Sequence, residues 1–229
     1  RFGRGQGGGS ATVYPTEFVA PLEGLAKNAP AGSTVKYALG VNSDSGLIQF
    51  DKNYLKNPAT GQGGCLAEIF APDGSLLLSE NRFGGFFNWA TQPWMFQYSH
   101  IRVSGIFTAS VDGEYQFGVG MVGNYKIKVG DQVHEGFIPM HSDDLGEFIL
   151  NPPFRAFGHT LKKGEEVLIQ WEYPQGSLPI PIASFYIGFQ EPSRSQAEEI
   201  ADAAELAAKS DIAVVFVGTT AEIESEGHD

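Results

Sequence analysis

The sequence predicts a mixed fold, in which an all-β barrel or sandwich is inserted between two segments of one discontinuous α/β domain. Residues 47–192 contain strand-sized apolar runs separated by turn signals at short intervals, with no sustained helical period. Residues 1–46 and 193–229 instead each combine helix-forming and strand-forming stretches. Because domain termini that lie close together allow insertions, one interrupted α/β domain is the simplest organisation. We therefore place the domain boundaries after residues 46 and 192.

The first segment opens with a glycine-rich stretch, residues 3–9, that suits a flexible loop better than the interior of a helix or strand. A short helix is expected near residues 21–25, and residues 35–39 alternate as a strand does, ended by Gly40. The glycine-rich stretch lacks both the lysine of a P-loop and the preceding strand of a dinucleotide-binding fingerprint. It therefore does not predict a phosphate site.

The inserted region is expected to consist of strands joined by tight turns. Residues 65–70 and 76–78 flank a Pro-Asp-Gly turn and predict a hairpin. Residues 101–108 and 115–119 flank Asp112-Gly113, a dipeptide that suits a tight turn because it tolerates positive φ. Further strands are expected at residues 125–129, 167–173 and 184–189.

The last segment, residues 193–229, predicts a helix, a buried strand and an acidic loop. Ser195 with Glu198 three residues later forms the capping box that begins an alanine-rich helix. Residues 212–217 are apolar throughout, as in a central parallel strand that is covered on both faces. The loop that follows, residues 218–229, contains three glutamates. Because ligands of open parallel sheets bind at the carboxyl ends of the strands, this loop is a candidate chemical site.

The overall charge restricts the partners of the chain. Fifteen Lys and Arg against 27 Asp and Glu give a net charge of -12, which disfavours nucleic acid and anionic membrane as partners. No apolar stretch approaches the roughly 20 residues of a membrane-spanning helix. The single cysteine, Cys65, excludes an internal disulfide and a cysteine-based zinc site, and leaves the localisation open. The start at Arg1 and the stop at Asp229 inside the acidic loop lead us to expect a piece of a larger polypeptide.

Motifs in all three parts of the chain resemble one known arrangement. They are GGGSA at 7–11, PLEG at 21–24, RVSGIF at 102–107, GEYQFG at 113–118, YKIKVGD at 125–131, SDIAVVFVG at 210–218 and ESEGHD at 224–229. In this order they resemble glycoside hydrolase family 3 β-glucosidases with an inserted β-barrel module of the anthrax protective-antigen type. The resemblance implies a discontinuous α/β-sandwich domain and retaining hydrolysis of terminal β-D-glucosyl residues, with no cofactor and no metal.

The resemblance also implies a division of the catalytic residues between domains. In that family an aspartate nucleophile lies on a preceding barrel domain, and a glutamic acid on the sandwich domain protonates the leaving group. By position, Glu226 is the implied general acid/base, with Glu224 as the fallback. Because the domain with the nucleophile is absent from this chain, we expect the chain alone to be inactive. The implied partners are β-linked glucosides or short oligosaccharides and the remainder of the same enzyme.

The segment from Phe83 to Tyr98 is rich in aromatic residues, whose rings stack on the apolar faces of sugars. Phe86 and Phe87, beside two glycines, are expected to be displayed and to contact the sugar at the +1 position, with the loop 137–154 as an alternative source of this contact. Some related modules bind sugar through calcium held by two adjacent aspartates before the strand at 125–129. Residues 121–124 lack that pair, and we expect Asp143-Asp144 to form a solvated turn.

Two other functions are compatible with the sequence. The main alternative is a non-catalytic carbohydrate-binding or adhesion module, for which glycan binding by residues 47–192 alone would be the evidence. The other is a purely structural insertion that serves contacts in a homo-oligomer. An upstream barrel domain with the nucleophile would favour the enzyme.

Overall fold

The computed structural model describes residues 17–41, 46–141, 143, 145–150, 152–192 and 194–218 of the 229-residue chain. The chain divides into two compact units. One unit is Leu47–Pro192, and the other combines Arg1–Gly46 with Ser193–Asp229.

The unit Leu47–Pro192 is built from antiparallel strands. In chain order they are β1 Ile48–Gln49, β2 Leu55–Lys56, β3 Cys65–Phe70, β4 Leu76–Arg82, β5 Phe86–Ala90, β6 His100–Thr108, β7 Gly113–Gly120, β8 Gly123–Val129, β9 Gln132–Ile138, β10 Phe154–Leu161, β11 Glu166–Pro174 and β12 Ile182–Gln190. A 3-10 turn, Pro93–Phe96, follows β5, and a short helix, Leu145–Leu150, lies between β9 and β10.

The strands form two sheets that pack as a sandwich. The five-stranded sheet has the order β1-β12-β7-β10, with β5 also paired to β12. The seven-stranded sheet has the order β4-β3-β6-β11-β8-β9, with β2 also paired to β6. Within the described residues neither sheet closes on itself, so the unit is an open sandwich and no closed barrel is seen.

An aromatic core fills the space between the two sheets. Phe50 stacks on Phe189 at a ring separation of 4.9 Å and meets the Trp171 ring edge-on at 5.6 Å. The indole nitrogen of Trp171 donates a hydrogen bond to the carbonyl of Gly118 on the facing sheet, at 3.2 Å. Side chains therefore alternate between this core and the outer face along strands such as β3 and β11.

The expected hairpin of β3 and β4 is confirmed. Ala67 lies opposite Glu80 in its ladder, and Gly74 in the turn adopts φ +84°. The turn at Asp112-Gly113 also occurs, with φ +145° at Gly113, but the strands on either side of it belong to different sheets. The chain crosses the sandwich there, and the Tyr115 hydroxyl accepts hydrogen bonds from two backbone N–H groups of the corner.

The second unit contains two described helices, α1 Pro21–Asn28 and α3 Gln196–Ala208. The short helix Leu145–Leu150 of the sandwich is α2. Pro21 at the start of α1 suits the first helical turn, where its missing N–H leaves no bond unmade. The predicted capping box of α3 is confirmed, because the Ser195 side chain accepts from the Glu198 N–H while the Glu198 carboxylate accepts from the Ser195 N–H. No helix in the described ranges is long and apolar enough to cross a membrane.

The two strands predicted for this second unit are not formed. Residues 35–39 and 212–217 have no strand pairing, and Ile212 and Val217 are 81% and 90% exposed. An apolar strand without a polar face is stable only between neighbouring strands and under covering helices. The described residues of this unit contain no paired strand, so the apolar pattern lacks the sheet that it requires.

Candidate functional site

The residues implied for acid/base catalysis, Glu226 and Glu224, lie outside the described residues. Their roles stay predictions. Among the described residues, the clustered aromatic rings and the groove presented below belong to the sandwich, Leu47–Pro192.

Phe86 and Phe87 lie on opposite faces of β5, since successive side chains of a strand alternate. Phe87 is 0% exposed, and its ring stacks on Phe185 at 4.8 Å and on Trp89 at 5.4 Å. The expectation that Phe87 is displayed is therefore wrong, because the core side of β5 takes this ring. Phe86 lies on the outer face opposite Tyr186 and is half-buried, so its contact with sugar stays a prediction.

The glycines beside these residues have a structural role that the sequence analysis missed. A Cβ on Gly85 would lie 2.6 Å from the carbonyl oxygen of Ile187 and 2.8 Å from the backbone nitrogen of Phe50. Gly85 therefore admits a close approach of backbones and does not display its neighbours. The exposed rings of this segment are instead Phe83, at 51%, and Phe96, at 76%.

The exposure of Phe96 follows from its position as the last residue of the 3-10 turn Pro93–Phe96. Trp94 in that turn packs edge-on against Trp89 at 5.9 Å and against Tyr98 at 5.5 Å. Met95 is also buried, so the turn directs its last side chain, Phe96, to solvent. The proline at the start of this turn was the available sequence signal.

An open groove of about 570 Å³ lies on the outer face of the seven-stranded sheet. It crosses β6, β11, β8 and β9, which are neighbours in the sheet although β6, β11 and the β8–β9 hairpin are distant from one another in sequence. We call it the outer-sheet groove. Its lining residues are His100, Asn124, Tyr125, Lys126, Glu135, Gly136, Phe137, Glu172 and Pro174.

A row of alternating charges crosses the outer face of the seven-stranded sheet, and its members Glu172, Lys126 and Glu135 line one side of the outer-sheet groove. The strand registers place Glu68, Arg102, Glu172, Lys126 and Glu135 in one line across five strands. Arg102 Nη2 lies 2.9 Å from Glu68 Oε2, and Lys126 Nζ lies 3.6 Å from Glu172 Oε2. Because each carboxylate lies beside a cation, the row creates no extended field of one sign. We call it the charge row.

A second line, one pleat away, is apolar and aromatic. The His100 ring stacks on Phe70 at 4.9 Å, and the Arg102 guanidinium lies over the same phenyl ring at 4.6 Å. Pro174 lies opposite His100 in the ladder of β11 and β6. At the far edge Phe137 is 62% exposed and lies opposite Asn124. The groove thus places flat apolar groups beside hydrogen-bonding groups.

The titratable groups with shifted pKa values lie away from this groove. Burial raises the pKa of the Cys65 thiol to about 12, and burial likewise raises the pKa of the Tyr173 phenol to about 12. The pKa of the Glu166 carboxyl is lowered by the hydrogen bond from Lys56 on the surface. These shifts follow from packing and surface pairing. Among the described residues no group of three His, Cys, Asp or Glu side chains is arranged to hold a metal.

Comparison with known proteins gives the chain its family. Residues 3–229 match the family described as the glycosyl hydrolase family 3 C-terminal domain. Beta-glucosidase B of Emericella nidulans is 27% identical over 250 residues, which cover 97% of this chain and 27% of that protein. The beta-glucosidase of Kluyveromyces marxianus is 27% identical over 245 residues, which cover 97% of this chain and 28% of that protein.

The fold agrees with a solved structure over nearly the whole chain. The crystal structure of the beta-glucosidase from Kluyveromyces marxianus in complex with glucose superposes with a TM-score of 0.76 at 25% identity, and the match covers 98% of this chain and 27% of that one. The chain spans just over a quarter of the length of these relatives. Because the family match extends over almost every residue, the chain belongs to the glycosyl hydrolase family 3 C-terminal domain family.

Proposed function

We propose that this chain is part of a retaining β-glucosidase that hydrolyses terminal non-reducing β-D-glucosyl residues. The observation that carries the proposal is the family match over residues 3–229, together with beta-glucosidase relatives that align along 97% of the chain. The relative of known structure holds glucose, which supports a glucosyl ligand for the whole enzyme.

The proposed chemistry requires two carboxyl groups about 5–5.5 Å apart on opposite sides of the scissile bond. Glu226 is the proposed general acid/base, with Glu224 as the fallback. It protonates the leaving oxygen in the first step and then removes a proton from the water that hydrolyses the glucosyl-enzyme. The aspartate nucleophile belongs to a barrel domain outside this chain. The 229-residue chain alone is therefore expected to be inactive towards aryl β-glucosides.

The decisive experiment compares Glu226→Ala and Glu224→Ala in the complete polypeptide. Loss of the acid/base residue is expected to lower kcat/KM on alkyl glucosides by about 10²–10⁴-fold and to spare kcat/KM on aryl glucosides with good leaving groups. On those aryl glucosides kcat still falls, because hydrolysis of the glucosyl-enzyme loses its general base. Azide should restore turnover in the acid/base variant and yield a β-glucosyl azide. The same behaviour in Glu224→Ala would transfer the role to Glu224. Near wild-type activity of both variants would overturn the assignment.

The proposed organisation is a discontinuous α/β-sandwich domain, residues 1–46 and 193–229, around an inserted protective-antigen-type module, residues 47–192. The two compact units have the same limits, which supports these boundaries. The module is proposed to shape the +1 sugar subsite through Phe86. In the complete enzyme, Phe86→Ala should raise KM for a disaccharide and leave KM for methyl β-glucoside, whose aglycone is too small to stack on a ring, unchanged.

The alternative is a non-catalytic carbohydrate-binding or adhesion module. It requires glycan binding in a polypeptide that shows no β-glucosidase activity. Measurement of both properties on the complete polypeptide separates the two functions.

A further inference from the structure

We propose that the outer-sheet groove is a binding site for a short neutral oligosaccharide. The choice of a β-linked glucan as its ligand rests on the proposed function, whereas the site itself rests on the groove. It places a glycan on the outer face of the seven-stranded sheet, where the ligand lies across β6, β11, β8 and β9.

The dimensions of the groove suit an extended oligosaccharide. It has a volume of about 570 Å³ and is open to solvent along its length. Neighbouring strands are about 4.8 Å apart, so three spacings across four strands span roughly 14 Å. This is close to the length of a trisaccharide that lies across the strands.

Apolar faces are available for the sugar rings along one side. Phe137 is 62% exposed at the outer edge, and Pro174 and His100 continue the line towards the middle of the sheet. The His100 ring is held in place because it stacks on Phe70 at an interplanar angle of 12°. Rings that are fixed before binding lose little freedom when a sugar stacks on them.

Hydrogen-bonding groups for sugar hydroxyls lie along the other side. Lys126 Nζ and Glu172 Oε2 are 3.6 Å apart, which is longer than an ordinary hydrogen bond and leaves donors and acceptors for a ligand. Glu135, opposite Lys126, extends this line to β9, and the Asn124 amide offers a further hydrogen-bonding group opposite Phe137. Charges of both signs alternate in the row, so the groove favours neutral hydroxyls over an anionic or cationic ligand.

The hydrogen bonds of His100 define which ring nitrogen is available to a ligand. Ser99 Oγ lies 3.1 Å from the carbonyl oxygens of Phe70 and Ala71 and 2.9 Å from His100 Nδ1. The hydrogen bond with Ser99 Oγ occupies Nδ1 in either tautomer, so Nε2 is the ring nitrogen that can donate to or accept from a sugar hydroxyl.

The test is a titration of the full 229-residue chain with cellotriose and with laminaritriose, in which binding is measured by NMR chemical-shift changes and by calorimetry. Maltotriose and a trigalacturonate serve as comparison sugars. Phe137→Ala removes the exposed stacking ring and should weaken binding by about tenfold. Glu172→Gln should also weaken it. Phe96→Ala is the matched control, because it deletes a phenyl ring that is 76% exposed and lies outside the groove.

The proposal is supported if a neutral trisaccharide binds, Phe137→Ala weakens binding and Phe96→Ala does not. Circular dichroism of each variant verifies the fold. The proposal is overturned if no neutral trisaccharide produces saturable NMR shifts at millimolar concentration, or if the trigalacturonate binds more tightly than the neutral sugars. It is also overturned if Phe137→Ala leaves the affinity unchanged. Because binding is measured on a chain that lacks the nucleophile, it can succeed or fail independently of hydrolysis by the Glu226 variants. A preference for maltotriose with the expected variant effects supports the groove and overturns only its β-glucan ligand.

Discussion

The corner at which the chain crosses the sandwich gives a sharp test of the fold. The Tyr115 hydroxyl is the shared acceptor of the Ser110 and Val111 N–H groups, each at 3.0 Å, and it donates to the Val111 carbonyl at 3.0 Å. Tyr115 itself is 0% exposed. Such a tyrosine links a strand to the corner just before it, as tyrosine corners of β-sandwiches do. Tyr115→Phe removes these bonds and keeps the buried ring.

The expected loss follows from the bonds that are left unmade. Two N–H groups and one carbonyl lose their partner, and a buried group left unsatisfied costs about 1–3 kcal/mol. The corner is partly open to water, which can replace some of these bonds. We therefore expect Tyr115→Phe to lower the free energy of unfolding by about 1–3 kcal/mol in total. The three tryptophans all lie in the sandwich, so their fluorescence during urea unfolding reports on this unit.

A matched control is available in the same core. Tyr173 is 1% exposed, and its hydroxyl has no hydrogen bond of ordinary geometry within the described residues. Ser177 and Ser184 lie near enough to this hydroxyl to offset part of the rise in its pKa. Tyr173→Phe should therefore leave the free energy of unfolding unchanged or raise it slightly, since it removes a buried hydroxyl that lacks a hydrogen bond of ordinary geometry within the described residues. Equal losses for Tyr115→Phe and Tyr173→Phe would refute the role given to the corner.

Three further predictions concern the core and the charge row. Burial raises the pKa of Cys65 from 9.0 to about 12, so the folded chain holds this proton more tightly than the unfolded chain, and stability should fall as the pH rises above 9. The free energy of unfolding should fall by at most about 1.4 kcal/mol per pH unit because of this one group. In urea titrations at several pH values, Cys65→Ala should reduce this slope, and an unchanged slope would contradict the assignment to Cys65. Phe87→Ala should lower the free energy of unfolding by about 3–5 kcal/mol, whereas Phe86→Ala should lower it by less than half as much. Similar losses for the two variants would contradict the placement of Phe86 and Phe87 on opposite faces of β5. The Arg102–Glu68 pair, whose side chains are 34% and 19% exposed, should give a coupling of about 1 kcal/mol or less in a double-mutant cycle, and this coupling should fall with salt. A larger coupling that does not depend on salt would contradict this expectation.

Local signals in the sequence were sufficient where a structure depends on neighbours in the chain. The hairpin of β3 and β4 follows from alternation on both sides of a Pro-Asp-Gly turn, and α3 follows from its capping box. The capping partners of α3 are three residues apart, and β3 and β4 are joined by one short turn, so both interactions lie within one continuous stretch of sequence. Seven of the twelve sandwich strands were likewise identified, because apolar and polar side chains alternate along them and turn residues separate them, whereas β1, β2, β5, β9 and β10 were not singled out.

Signals failed where the outcome depends on distant partners. The sequence does not show which of Phe86 and Phe87 faces the core, because Phe185, on which Phe87 stacks, belongs to a strand far along the chain. The glycine pair was taken as a sign of display, yet Gly85 is required by the backbone of Ile187. The outer-sheet groove was missed for the same reason, since it exists only after β6, β11 and the β8–β9 hairpin, three distant segments, have been placed in register.

The two units of the chain differ in how far they are stabilised by their own residues, and this decides which experiment tests which proposal. The sandwich has its own aromatic core, with residues such as Trp171 and Phe117 almost fully buried. In α1 and α3 no residue is buried, and the apolar residues at 212–217 are exposed. Apolar surface of this kind gains stability only when other residues cover it. Unfolding and glycan titrations of the 229-residue chain therefore measure the sandwich, whereas the roles of Glu226 and Glu224 can be measured only in the complete polypeptide, where the proposed nucleophile is present.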